Sequence, residues 1–212
     1  MNRTTRPGPE PEELLVRLAC AGDVAAFQQI YELRQGSIYR FVLHMTGNRA
    51  AAEDVTQEVF MSLIQRDCAF DPTKGTLSAY LYGVARNQLF RYREKEERYV
   101  ALPEEESVAP KVNGNHRMTV IVPAVDLERS EKIDRVRRAV LSLPAAYREP
   151  VVLCDLQEMS YEETARILGC AVGTVRSRLH RGRTLLMQKL KDSGASRSQT
   201  EQVAPEQRAS RP

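Results

Sequence analysis

The chain has 212 residues, 42% of them hydrophobic, and a formal net charge of +3 at pH 7. That apolar share can bury one core or two small ones, and it excludes a chain disordered throughout. No run of about 18 apolar residues exists and the start "MNRTTRPGPEPEELL" has no apolar stretch of the signal-peptide kind, so a cytoplasmic chain without membrane insertion is expected.

Helical periodicity dominates and no alternating apolar run is followed by a hairpin turn, which predicts an all-α fold of two small helical domains. In chain order, residues 1–10 are expected to be disordered. Helices at 11–33, 37–46, 49–66 and 76–98 make a first domain over 11–98. In the third of these, Asp54, Gln57 and Glu58 share an exposed face while Val55, Val59, Leu63 and Phe60 turn inward. The loop "CAFDPTKGT" follows. The fourth helix then interleaves Tyr80, Tyr82, Phe90 and Tyr92 with Arg86, Asn87, Arg91 and Arg93, a composition suited to unstacked bases and backbone phosphates. Without further information, about half of those aromatics are assigned to packing.

Residues 99–127, with three prolines, the acidic run Glu104 to Glu106 and Asn-Gly, read as a flexible linker. Extended, it spans up to about 80 Å, enough for the two domains to engage separate sites. Its segment "MTVIVP" is equally an extended docking strip or a bare apolar patch.

The second domain, 128–191, is expected to hold helices at 128–142, 145–157, 160–168 and 172–190. Pro150 removes one backbone donor from the second of them and predicts a kink or a later start. Ser160 followed by Glu163 is a capping box, and Gly169 permits a left-handed stop. A short helix, the turn "GCA" and a further helix make a helix-turn-helix. On a 100° wheel Val175, Leu179, Gly182 and Leu186 cluster as the buried stripe. The opposite side carries Gly173, Arg176, Ser177, His180, Arg181 and Thr184, flanked by Arg178 and Arg183, and Thr174 is counted with the candidate DNA contacts of this helix. From Val172 to Lys191 there is no acidic residue, so the face lacks the i,i+4 partners of an ordinary solvated helix. Residues 128–191 hold thirteen basic against eight acidic side chains, whereas 1–98 hold thirteen of each, which points the second domain toward a polyanion. Arg176 and Arg181 suit guanine edges, Ser177 and His180 bases or phosphate, and Arg178 and Arg183 phosphates. The tail 192–212 has almost no apolar residues and is expected to be disordered.

Cys20, Cys68, Cys154 and Cys170 have no paired spacing and read as buried thiols. His44, His116 and His180 lie in separate segments, so no metal site is expected, and no cofactor either. There is no Walker loop, G-x-G-x-x-G, H-E-x-x-H or G-x-S-x-G, so the chain is not read as an enzyme.

With "LP..YRE", "SYEETA..LG" and "VGTVRSRLHRGR" together, the second domain closely resembles the promoter-reading domain of extracytoplasmic function (ECF) sigma factors, compact members of the sigma-70 family. The stretch from "AGDVAAFQQIYELRQG" to "REKEER" resembles the other conserved domain of that family, and the two resemblances cover roughly 12–98 and 128–190. The resemblance implies a subunit that binds core RNA polymerase and directs promoter-specific initiation, in stress responses among others. By it, "AAEDVTQEVF" docks on the β′ clamp helices through Asp54, Gln57 and Glu58. The helix from Leu77 captures the opened −10 element, with Asn87 on an exposed base and Arg86, Tyr80 and Arg91 beside it, and Phe70 and Lys74 belong to a pocket for a flipped base. The recognition helix reads the −35 element, and an anti-sigma factor is implied as regulator. Tyr80–Leu81 stands where the family commonly has Trp-Leu, and Thr164 replaces an aliphatic residue. The alternative reading is a stand-alone helix-turn-helix regulator whose first domain binds a ligand or a second copy.

Overall fold

A computed structural model describes residues 12–65, 70–100 and 124–200. Every regular element among them is helical, as expected. The first domain comprises α1 (Glu12–Cys20), α2 (Val24–Thr46), α3 (Arg49–Gln65) and α4 (Leu77–Val100). The second comprises α5 (Ala124–Leu141), α6 (Ala145–Val151) running into a π turn at Val152–Leu156, α7 (Tyr161–Leu168) and α8 (Val172–Thr200).

Helix ends follow local chemistry, and several boundaries differ from expectation, among them the start of α5 at Ala124, inside the stretch read as linker. The helix predicted over 11–33 breaks at residues 21–23, where Gly22 takes φ 96° and the Asp23 carboxylate accepts from the amides of Ala25 and Ala26 at 2.9 and 3.0 Å, capping α2. From there α2 runs unbroken through Gly36 to Gly47, whose left-handed φ of 72° stops it with an amide bond to the Leu43 carbonyl. At the other end α8 continues to Thr200, so residues 192–200 are helical rather than disordered. No proline follows Lys191 until Pro205, so nothing in that stretch forces a stop. The expectations of disorder at 1–10, the Glu104–Glu106 run and "MTVIVP" all fall outside the described residues.

Pro150 lies inside α6 and does not delay its start at Ala145; the disturbance follows it as the π turn, closed by the Gln157 amide on the Val152 carbonyl at 3.0 Å. The expectation of four buried thiols fails at Cys20, which is disulfide-bonded. Cys154 and Cys170 are free and half-buried.

The first core forms around Ile30, Ile38, Phe41, Val42, Phe60 and Leu63. It does not end at the domain boundary: Val140, Val152, Leu153, Met159, Ile167 and Leu168 of the second domain belong to the same buried cluster. Burying this apolar surface is what draws the two domains together. A smaller cluster of Leu143, Val151 and Leu179 seats α8 on α6. There Gly182 is required by close approach, because a Cβ would lie 2.7 Å from Val151 Cγ2 and 3.0 Å from the Tyr147 carbonyl oxygen.

Candidate nucleic-acid and polymerase interfaces

Three surfaces carry the predicted site residues. On α3, Val55, Val59, Phe60 and Leu63 are buried, which leaves Asp54, Gln57 and Glu58 exposed along one strip with Glu53 and Met61. An acidic strip of this kind, held on a packed helix, suits a basic partner surface.

The second surface is built by α7 and α8. The Ser160 hydroxyl accepts from the Glu163 amide at 3.1 Å while the Glu163 carboxylate accepts from the Ser160 amide at 3.1 Å, completing the capping box. Gly169, at φ 63°, ends α7. Thr164 is fully buried with its hydroxyl 3.3 Å from the Cys154 sulfur, so the unusual residue fills an interior position with a partner. Burial pushes the Cys154 thiol's pKa up.

Val175 and Leu179 are buried as the wheel requires and Gly182 with them. Arg176, Ser177, His180 and Arg181 are exposed on the far side, with Thr174 and Arg178 half-buried at the flanks. Arg176 stacks over the Tyr161 ring at 5.7 Å, a contact that orients its guanidinium without using its donors. Arg183 is exposed but already engaged, donating to both Asp155 oxygens at 3.0 and 2.5 Å. This ion pair pushes the guanidinium's pKa further up, chiefly through the hydrogen bond to Asp155.

The third surface is the outer side of α4 with the loop before it. Phe70 and Tyr80 pack edge to face, ring centroids 5.7 Å apart, and with Lys74 and Asn87 they line a cavity of about 350 Å³. Lys74 pairs with Asp71 at 3.3 Å, and Arg91 is exposed on the same helix further along. Of the four interleaved aromatics, Tyr82 is buried against Phe41, Tyr80 and Tyr92 are half-buried and Phe90 is exposed. The Arg86 guanidinium lies over the Phe90 ring at 4.7 Å and is held there by Glu149 at 3.0 Å. Thus Phe70, Lys74, Tyr80 and Asn87 share one concavity, while Arg86 and Arg91 stand outside it.

Sequence reasoning missed that Arg166 and Ile167 of α7 complete this cavity. Gly75 is the local signal that could have suggested a close approach: its φ is 152°, and a Cβ there would lie 2.5 Å from an Arg166 Nη1 that donates to the Lys74 carbonyl at 2.7 Å. No helix among the described residues is long and apolar enough to cross a membrane.

Comparison with known proteins gives a consistent result for both halves. A family model described as sigma-70 region 2 matches residues 30–99, and one described as sigma-70 region 4 matches residues 133–186. The chain is 35% identical over 197 residues to the ECF RNA polymerase sigma factor SigE of Mycolicibacterium smegmatis, covering 91% of this chain and 71% of that protein. It is 32% identical over 180 residues to the ECF RNA polymerase sigma factor SigW of Bacillus subtilis, covering 81% of this chain and 92% of that protein. Among solved structures, the sigma factor RpoE from Bartonella quintana, crystallised in complex with the anti-sigma factor NepR, matches with a TM-score of 0.60 and 26% identity over 79% of this chain and 98% of that one.

Proposed function

We infer a promoter-specificity role from one premise: this chain belongs to the extracytoplasmic function (ECF) sigma factors of the sigma-70 family. In this reading the chain performs no chemistry of its own. It acts in the cytoplasm, where Asp54, Gln57 and Glu58 dock on the β′ clamp helices of core RNA polymerase. Arg176, Ser177, His180 and Arg181, with Thr174, Arg178 and Arg183 at the edge, read the −35 element as duplex in the major groove. Asn87, Arg86, Tyr80, Arg91, Phe70 and Lys74 hold the −10 element once its strands have parted.

The observation that carries this reading is the meeting of Phe70, Lys74, Tyr80 and Asn87 in one cavity, on α4 and the loop before it, remote in sequence from the helix-turn-helix. A stand-alone regulator reads duplex DNA through one recognition helix per copy and has no use for a second face built from aromatic rings, an amide and basic side chains. Such a face suits bases taken out of the stack, because aromatic planes hold any base while the amide bonds its edge. The solved structure of a related sigma factor with NepR supports an anti-sigma factor as a regulator of this chain too.

The reading is tested by mixing the purified chain with bacterial core RNA polymerase and a promoter library, then scoring polymerase pull-down and run-off transcripts. Polymerase binding with new, sequence-specific start sites is expected. Tight duplex binding by the chain alone with no polymerase binding would establish the stand-alone regulator instead.

A further inference from the structure

Resting on the reading of α8 as the −35 helix, we propose that Tyr161 is a specificity-determining positioning residue: it touches no base, and it acts by holding Arg176 at the angle from which that guanidinium reads the −35 element. Three restraints fix the tyrosine. Its backbone opens α7 directly after Ser160, whose hydroxyl and amide are locked to Glu163 in the capping box. Its ring is half-buried against the cluster of Leu143, Val151 and Leu179 that seats α8 on α6. Its phenol is a further partner of Arg183, which the Asp155 carboxylate holds at two points; the Asp155 bond first, and the phenol after it, raise the guanidinium's pKa.

The consequence falls on Arg176, whose guanidinium lies over the fixed ring, 5.7 Å from its centroid. Arg176 and Arg183 stand seven positions apart on α8, which is two turns and about 10.5 Å, so both reach Tyr161 from one side of the helix. Their duties differ. Arg183 gives its fork to Asp155, and two parallel bonds leave its plane little freedom. Arg176 stays exposed and uses only its face. A guanine offers O6 and N7 to the edge of a guanidinium, so stacking on Tyr161 and pairing with a base are compatible in one geometry.

A stack of this kind at an exposed site is too weak to matter much for folding. Its value lies in orientation. An arginine gives up the freedom of several rotatable bonds when it docks on a base, and orienting it beforehand removes part of that loss. For one side chain the effect amounts to about three- to tenfold in affinity. The gain goes to specificity, because the phosphate contacts that dominate nonspecific binding do not pass through Tyr161. Asp155, Arg183 and Tyr161 thus carry the rigidity of the π turn and of α7 to a base-reading side chain that exposure would otherwise leave loose.

The test uses holoenzyme assembled from core RNA polymerase and the full chain, with a duplex promoter selected from the library and the same duplex carrying a scrambled −35 element. The ratio of the two affinities is the readout. Tyr161→Leu keeps an apolar side chain against the cluster and removes the aromatic plane. It should lower the ratio about three- to tenfold, while affinity for the scrambled duplex, polymerase pull-down and helix content by circular dichroism stay level. Tyr161→Phe keeps the plane and loses only the tie to Arg183, so the ratio should fall less. Because Tyr161 acts through Arg176, the double variant Tyr161→Leu/Arg176→Ala should match Arg176→Ala alone. A purely structural tyrosine would instead lower the ratio again in the double variant, or lower both affinities together. Either of those results overturns the proposal, and so does an unchanged ratio in Tyr161→Leu. Where Tyr161→Leu destabilises the domain, Tyr161→Phe in the Arg176→Ala background decides by the same comparison. Arg176→Ala with no effect on the ratio overturns instead the −35 reading of Arg176, and the proposal with it.

Discussion

Asp155 and Arg183 form a two-point ion pair, with both carboxylate oxygens accepting from the guanidinium at 3.0 and 2.5 Å. The π turn after Pro150 brings Asp155 beside α8, so a backbone irregularity in one helix fixes a side chain on the recognition helix. Asp155→Ala should release Arg183. For a pair this exposed the stability loss is small, about 1 kcal/mol or less, measured by urea unfolding. Nonspecific duplex affinity should rise slightly and its salt dependence steepen, because one more cation becomes available to phosphate.

Gly182→Ala should destabilise the second domain despite the better helix propensity of alanine. Propensity favours alanine by about 1 kcal/mol. Against this, the new Cβ would lie 2.7 Å from Val151 Cγ2 and 3.0 Å from a backbone oxygen that cannot rotate away. Overpacking of that kind costs about 1–3 kcal/mol, so the melting temperature should fall. A melting temperature above that of the unaltered chain would contradict the packing described between α6 and α8.

Charge deletions should separate the surfaces. Arg176→Ala with Arg181→Ala is expected to lower promoter-directed initiation at least about tenfold, since each lost base contact is worth about 1–3 kcal/mol, while polymerase pull-down stays intact. Asp54→Ala with Glu58→Ala should do the reverse. Asn87→Ala should weaken capture of single-stranded −10 DNA on the holoenzyme and leave duplex affinity unchanged. Equal loss of polymerase binding in the first two variants would refute this division.

Acid should loosen the Glu163 contacts late. Burial works against the Glu163 carboxylate, but hydrogen bonds from Thr76 and from the Ser160 hydroxyl and amide, with the Arg166 charge, outweigh it and hold the carboxyl's pKa below its ordinary value. A depressed folded pKa contributes stability that is fully present above the unfolded value near about 4.3 and is lost as pH falls through the folded one. Melting temperatures taken from pH 7 to pH 3 should therefore drop at the acid end, and Glu163→Gln should flatten that drop. Ser160→Ala, which removes the other half of the capping box, should cost about 1 kcal/mol near neutral pH.

Much of this molecule was determined by the sequence alone. The face of α3 that exposes Asp54, Gln57 and Glu58, the buried stripe of Val175 and Leu179, and the stop signals at Ser160, Glu163 and Gly169 all follow from helical periodicity and capping. Periodicity states which side of a helix leaves water, and capping states where the helix begins and ends, because both depend on residues a few positions apart. Neither states which neighbour covers the buried side. Only the tertiary structure decided that Glu149 meets Arg86 across 63 positions, that Glu163 meets Thr76 across 87, and that Arg166 closes the cavity of Phe70, Tyr80 and Asn87. Those pairings arise when two apolar surfaces, each readable as buried, find one another and carry their polar rims into register.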